Sequence, residues 1–348
     1  MLAHLRFLTR QLPGGEPPAQ ALAVYAEPEG TGFCHVAAND GEFEGVACLD
    51  DAARAVVLYC RMWRECRTPW LAAEIAGLLA FIQRMQRDDG AFTNFILDWT
   101  GTPNLSAPTS QPGGPWWTAR AMRAVATSLR SFPSAQMSRS FLLGRPWLHE
   151  YRSPGALAVA IEAELDYWRV TQDPQAARFC RDAAEALAGH RVGQTLADDL
   201  TKPRFWGHHQ ERALLRVAAV FDRPHLAEIA IASAFEHFGP AVAAGFAGPE
   251  PTTPYEVSCA VAAFDAVHQA RGDPRAAELA DLARAWFHGR NAAASPVYDP
   301  RRHIAYDGVS NRGVSPNSGA EANIETAFAL YRSRRRRTPL RPSDDPAA

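Results

Sequence analysis

The sequence predicts an all-α protein, an (α/α)6 toroid of tandem helical hairpins, and three observations carry that expectation. Prolines mark the joints: Pro69, Pro133, Pro174, Pro224 and Pro274 each follow a helix-like stretch and open another, as in Pro174-Gln175-Ala176-Ala177 and Pro274-Arg275-Ala276-Ala277. Proline suits a first helical turn because its missing N–H would be unpaired there and its φ is already helical. The last three joints fall about fifty residues apart, the length of a hairpin plus one long loop. Connections are also asymmetric, short inside a hairpin and long between hairpins. Finally, apolar residues recur at three- and four-residue steps, and no segment alternates as a half-buried strand would.

Taken in order, the segment from Leu2 to Leu12 opens the chain as a helix able to return beside the last one and close a ring. The first strong helix runs from Val46 to Arg64, with Leu49, Ala53, Val56, Cys60 and Trp63 on one stripe. Its partner runs from Pro69 to about Arg87, with Ile75, Leu78, Ile82 and Met85 aligned. Further pairs follow: Trp116 to Leu129 with Ala135 to His149, Gly155 to Val170 with Pro174 to Ala188, and His209 to Phe221 with Pro224 to Phe238. Pro254 to Arg271 pairs with Pro274 to His288, and a last helix spans Ser318 to Arg332. An open solenoid is the alternative to a closed ring, but solenoids keep short, uniform connections. The expected domain covers residues 1–334, followed by a disordered tail over 335–348.

The long loops cover residues 27–45, 88–115, 191–208, 239–253 and 291–317, each leading into the first helix of a pair; only the loop before Gly155 is short. Because the helices alternate in direction, these loops emerge on one face, at the N-termini of the first helices. The proline turns mark the opposite, quiet face. Function concentrates in loops of this length.

Composition narrows the class of partner. With 348 residues, 47% apolar, and a formal charge of -2, the chain can bury a large core and lacks the basic excess of a nucleic-acid binder. The one dense basic run, Arg332 to Arg337, reads as a solvated helix end beside a Pro/Asp-rich tail. No membrane segment or secretory signal is visible. Cys34, Cys48, Cys60, Cys66, Cys180 and Cys259 form no CxxC pair and read as free thiols, which favours a reducing, cytoplasmic location. There is no Gly-x-Ser-x-Gly elbow, no P-loop and no dinucleotide fingerprint. His208, His209 and Glu211 lack a third ligand at motif spacing, so neither metal nor organic cofactor is expected. The sole lysine, Lys202, reads as no Schiff-base residue, and the oligomeric state stays open.

The loops carry carboxylates and tryptophans among glycine, asparagine and proline. The first holds Asn39-Asp40-Gly41-Glu42 and enters its helix through Leu49-Asp50-Asp51-Ala52-Ala53-Arg54. The second holds Asp98-Trp99 and ends in Trp116-Trp117-Thr118-Ala119-Arg120. Later ones supply Trp206-Gly207-His208-His209-Gln210-Glu211, Tyr255-Glu256, Asp307 and Asn317-Ser318-Gly319-Ala320-Glu321. Indole faces edged with a donor suit stacking on a sugar ring.

On this repeat, together with Gln86-Arg87-Asp88-Asp89-Gly90-Ala91-Phe92, the Asp50-Asp51 helix start and the Ser318-Gly319-Ala320-Glu321 helix start, the chain resembles the six-hairpin glycosidase superfamily. The Gln-x-x-Asp-Gly-x-Phe stretch also looks like a repeat motif of terpene cyclases, but their Asp-x-Asp-Asp motif is absent and the loops are polar. The first resemblance implies an oligosaccharide or glycoconjugate substrate and paired-carboxylate catalysis, commonly inverting, with the two carboxyls roughly 6.5–9.5 Å apart. Sugar epimerases, polysaccharide lyases and non-catalytic carbohydrate binders on the same fold are the alternatives. An epimerase would use facing histidines, which makes His208 and His209 discriminating.

The candidate catalytic carboxyls are Asp50, Asp51, Asp98, Glu256, Asp307 and Glu321. Four have a local structural counterpart, whereas Asp98, beside Trp99 in the longest loop, has none as obvious: Asp50 could pair with Arg54 at i+4, Glu321 could complete a capping box with Ser318, and Asp307 could turn the chain at Gly308. Glu256 could simply favour a helix start. Asp51 or Asp98 is expected on one side of the cleft, with Glu321 or Asp307 opposite. Trp99, Trp116, Trp117, Arg120, Trp206, His208, His209, Tyr255 and Asn317 are the candidate substrate contacts.

Overall fold

The structure, a computed structural model, describes residues 2–37, 43–198, 204–248 and 250–332. The expected tail, the Asn39-Asp40-Gly41-Glu42 stretch and Lys202 lie outside the described residues. Among the described residues there are twelve α-helices: α1 (Ala3–Leu8), α2 (Leu49–Cys66), α3 (Pro69–Arg84), α4 (Pro115–Leu129), α5 (Ala135–His149) and α6 (Pro154–Thr171). Then come α7 (Pro174–Gly189), α8 (Gln210–Phe221), α9 (Pro224–Ala243), α10 (Pro254–Arg271), α11 (Pro274–Ala285) and α12 (Ala320–Leu330).

The even-numbered helices form an inner ring in which α2 packs on α4, α4 on α6, and so on through α10 on α12, with α12 returning to α2. The odd-numbered helices form the outer layer. Closure comes from the N-terminus: α1 packs on α12, and Nε2 of the buried His4 lies 3.0 Å from the carbonyl of Ser318. The ring is closed, as its variable loops suggested.

The short turns share one device. After α2, α6, α8 and α10 the chain takes a single left-handed residue (Arg67, Gln172, Asp222, Gly272), then one linker residue, then a proline that begins the next helix. The left-handed residue ends one helix by turning its N–H back onto the last turn, and proline starts the next without wasting a donor. Pro133 departs from this pattern, because α5 starts after Ser134, whose hydroxyl caps the backbone N–H of Met137 at 3.2 Å.

Two further expectations are corrected. The Leu2–Leu12 helix stops at Leu8, and Thr9–Gln11 instead pairs with Gln20–Leu22 as antiparallel strands. It is one of six two-stranded pairs among the described residues, none longer than four residues per strand, and all lie outside the helices. The α2 stripe also understates burial: apart from Asp50, every residue from Leu49 to Cys60 is buried, because an inner helix is surrounded by neighbours. Of the cysteines, Cys48, Cys60, Cys180 and Cys259 are buried free thiols, whereas Cys66 is exposed. Among the described residues no helix is long and apolar enough to cross a membrane.

Candidate active site

The inner helices α2, α4, α8, α10 and α12 begin at the long-loop end, and their first turns bring the chemistry together. At the start of α2, Cys48 caps the helix, its sulfur accepting from the Asp51 N–H at 3.4 Å. One turn on, the buried guanidinium of Arg54 collects three carboxylates. Its Nη2 donates to Asp51 Oδ1 at 2.5 Å and to Glu321 Oε2 at 3.2 Å, while Nη1 donates to Glu325 Oε1 at 3.0 Å. Because Asp51 and Glu321 share one donor nitrogen, those two oxygens lie within about 6 Å of each other. Ser258 from α10 donates to the second Glu325 oxygen at 2.5 Å.

A second arginine repeats the arrangement from α4. Arg120 pairs with Asp50 and donates to the Tyr255 hydroxyl at 2.8 Å. That hydroxyl also lies 3.0 Å from Nε2 of His209. The ring of Tyr255 is held between the two guanidinium groups, 4.8 Å from Arg54 and 5.4 Å from Arg120. Above it, the edge of Trp206 meets Tyr255 at 5.1 Å and Trp116 at 5.6 Å between ring centres, and Arg120 lies over both indoles. Trp206 Nε1 donates to Glu321 Oε1 at 3.3 Å. Asp50 Oδ1, Arg120 Nε and His209 Nδ1 are buried without a hydrogen-bond partner among the described residues. Buried polar atoms of this kind call for a ligand or water.

Environment separates the acids. Burial pushes the Asp51 carboxyl up to about 6 against the pull of Arg54, with Glu321 and Asp50 adding repulsion. Burial also raises Asp307 to about 6; the Gly319 N–H it accepts at 2.6 Å opposes this, and Glu321 and Asp51 reinforce it. Glu256 is raised by burial despite the N–H of Thr253. His209 is driven well below the usual histidine range by burial and the nearby Arg212, so it is neutral.

The sequence-derived candidates divide accordingly. Asp50, Asp51, Trp116, Arg120, Trp206, His209, Tyr255 and Glu321 converge, with Asp307 and Glu256 close enough to feel Glu321 electrostatically. Asp98 does not join them: it is exposed and caps its own turn through the N–H of Thr100 at 2.8 Å, contacts that lower its carboxyl. Trp99 sits beside Arg10 and His35 on the N-terminal segment. Trp117 is core, its indole donating to Phe92 O at 2.9 Å. His208 faces the outer layer, against His237 and Phe238, and bonds Glu211 at 3.0 Å. The two histidines therefore do not face each other. Asn317 contributes its carbonyl to the Asp307 N–H at 3.0 Å.

Two local alternatives for the acids also fall. Asp50 turns to Arg120 rather than to Arg54, which takes Asp51 at i+3. The Ser318–Glu321 capping box does not form: Ser318 donates to Ala305 O at 2.7 Å, Gly319 caps α12, and Glu321 is left for Arg54 and Trp206. A capping box does form at Thr253 and Glu256. The sequence reading missed Glu325 and Ser258. A signal for Glu325 was present, since Glu321 and Glu325 are i and i+4 on one helix face.

No protein-family profile matches the chain by sequence, and no curated protein does so either. Solved structures do match by shape. A D-mannose isomerase superposes with a TM-score of 0.67 at 11% identity, covering 94% of this chain and 94% of its own. The cellobiose 2-epimerase of Bacillus thermoamylovorans gives 0.64 at 9% identity, covering 82% and 87%. A GH76 α-mannanase of Bacteroides thetaiotaomicron gives 0.57 at 10% identity, covering 82% and 85%. The chain thus shares its (α/α)6 toroid fold with these carbohydrate-active enzymes.

Proposed function

We propose that the protein is a carbohydrate-active enzyme whose long-loop cleft binds a sugar against Trp206 and Trp116 and hydrolyses a glycosidic bond. The observation that carries this is the placement of Glu321. Its side chain is 33% exposed, one oxygen is held by Arg54, and the other by the indole N–H of an exposed tryptophan. Beside it stands Asp307, a half-buried carboxyl raised to about 6. Two carboxyls in unlike environments are what acid/base cleavage of an acetal requires. In this reading Asp307 protonates the departing glycosidic oxygen. Glu321 serves as its partner across the bond, and Asp50 with Arg120 holds sugar hydroxyls. Asp51 is 1% exposed and locked to Arg54, so it supports the site rather than touching substrate.

The experiment is turnover of an oligosaccharide panel followed by chromatography and anomeric NMR. Shorter products are expected, with inverted configuration as the resemblance implies. Glu321→Gln and Asp307→Asn should each lose about 100-fold or more. Unchanged turnover in both variants would remove these roles.

One observation favours a second reading, sugar epimerisation or isomerisation. His209 is neutral and within reach of the Tyr255 hydroxyl, a pair able to accept and pass a proton. In that case His209→Asn would abolish turnover, and solvent deuterium would enter the sugar at the carbon next to the carbonyl.

A further inference from the structure

The quiet face of the toroid is not closed. Where the inner helices end, at the short-turn side, a cavity of about 550 Å3 opens along the ring axis. Among the described residues it is lined by seven arginines and four carboxylates. Some of that charge has an ordinary explanation: Arg64, Arg130 and Arg169 sit at or near the C-termini of α2, α4 and α6, where exposed carbonyl dipoles favour cations.

The deeper charges do not share that explanation. Arg61, Arg123 and Arg216 lie more than one turn from the ends of their helices, and Arg212 sits in the first turn of α8, where the helix dipole disfavours a cation. Arg123, Arg212 and Arg216 share Glu162 and Asp166, while Arg61 lies near Asp265 and Glu65. Glu162 is contacted by Arg123 at 2.9 Å, Arg212 at 2.7 Å and Arg216 at 3.1 Å, and Asp166 is taken by Arg216. Asp265, also on the wall, is paired with Arg284 from the outer layer. Arg61 donates to the neutral carbonyl of Tyr331 at 2.9 Å. The Nε atoms of Arg123 and Arg212 are buried without a partner among the described residues. Burial and mutual repulsion push Arg123 down to about 10 against the pull of Glu162, and burial lowers Arg61 too.

We propose that this chamber binds a small multivalent oxyanion, a molecule carrying phosphate groups, at the end of the toroid opposite the catalytic cleft. Its size suits a small molecule, and planar guanidinium forks match phosphate oxygens in pairs. Arg123 and Arg212 also line a smaller cavity that reaches His209, Arg120 and Tyr255. The two cavities therefore share Arg123 and Arg212, and the chamber itself does not depend on what reaction the cleft performs.

The test uses the full chain and inorganic pyrophosphate as the probe, with sodium chloride at matched ionic strength as control. Calorimetry should give saturable binding at one site with micromolar Kd, and thermal melting should rise with pyrophosphate and not with chloride. Inorganic phosphate and a hexose phosphate, run as separate arms, distinguish a bare polyphosphate from a phosphate ester by which binds tighter. Arg130→Gln combined with Arg169→Gln changes only the exposed rim, so it should leave folding and cleft activity intact while weakening pyrophosphate at least ten-fold. Arg130→Glu with Arg169→Glu should abolish binding. If wild type binds no tighter than the chloride control predicts, or if both rim variants bind as wild type does, the chamber is not an anion site.

Discussion

The indole nitrogen of Trp206 donates to Oε1 of Glu321 across 3.3 Å, joining an exposed aromatic face to an accessible carboxylate. Trp206→Phe keeps the stacking surface and removes this bond. A hydrogen bond to a charged group contributes about 1.5–3 kcal/mol, less when half-exposed as here. Steady-state kinetics should show kcat lower by about ten-fold with KM little changed, whereas Trp206→Ala should raise KM as well.

Arg54 is the cation on which Asp51, Glu321 and Glu325 depend. Arg54→Met leaves Asp51 and Glu325 buried without it, and breaking such a pair costs about 3–5 kcal/mol. The sign with pH follows from Asp51. With Arg54 present its folded pKa is raised from 3.8 to about 6, so wild type loses stability up to about pH 6 and then levels off; without Arg54 the carboxyl is pushed higher and the loss continues above that pH. Denaturant melts should show the variant furthest below wild type at pH 8 and closest at pH 5.

Asp307 sets the pH profile if it is the proton donor. Raised to about 6, it is protonated below that pH and loses its proton above it. Turnover should therefore fall as pH rises through about 6, and the residual activity of Asp307→Asn should lack that limb. A limb that persists in the variant belongs to another group.

Gly90 tests what the Gln86–Phe92 motif is for. Its φ is +87°, and an added Cβ would meet the Leu143 carbonyl oxygen at 2.1 Å. Gly90→Ala should cost about 3 kcal/mol in a denaturant melt, with KM of the remaining folded enzyme unchanged. The same motif sends Gln86 to Ser140 of α5, through a 2.9 Å bond to its carbonyl and a 2.5 Å bond from its hydroxyl. It is a brace between two hairpins rather than part of the cleft.

That brace illustrates what was legible. Proline joints and loop asymmetry depend on local chain chemistry, so the hairpins and the ring closure are legible in the sequence. Side-chain direction depends on neighbours far away in sequence. His208 and His209 are adjacent, yet one turns outward to Glu211 and the other inward to Tyr255. Asp50 chose Arg120, 70 residues away, over Arg54 in its own helix. Asp98 drew attention for want of a visible partner, but Thr100 two residues on supplied one. The basic chamber was missed because its arginines are spread over α2, α4, α6 and α8, and no local window contains the excess.

The central claim is that the long-loop cleft cleaves a glycosidic bond through Glu321 and Asp307. Proton NMR of an oligosaccharide panel turned over in deuterium oxide tests it most directly. The account predicts new reducing ends, no deuterium on ring carbons, and loss of the signal in Glu321→Gln. Sugars of unchanged length carrying deuterium beside the carbonyl carbon, formed equally well by Glu321→Gln and not by His209→Asn, would contradict it.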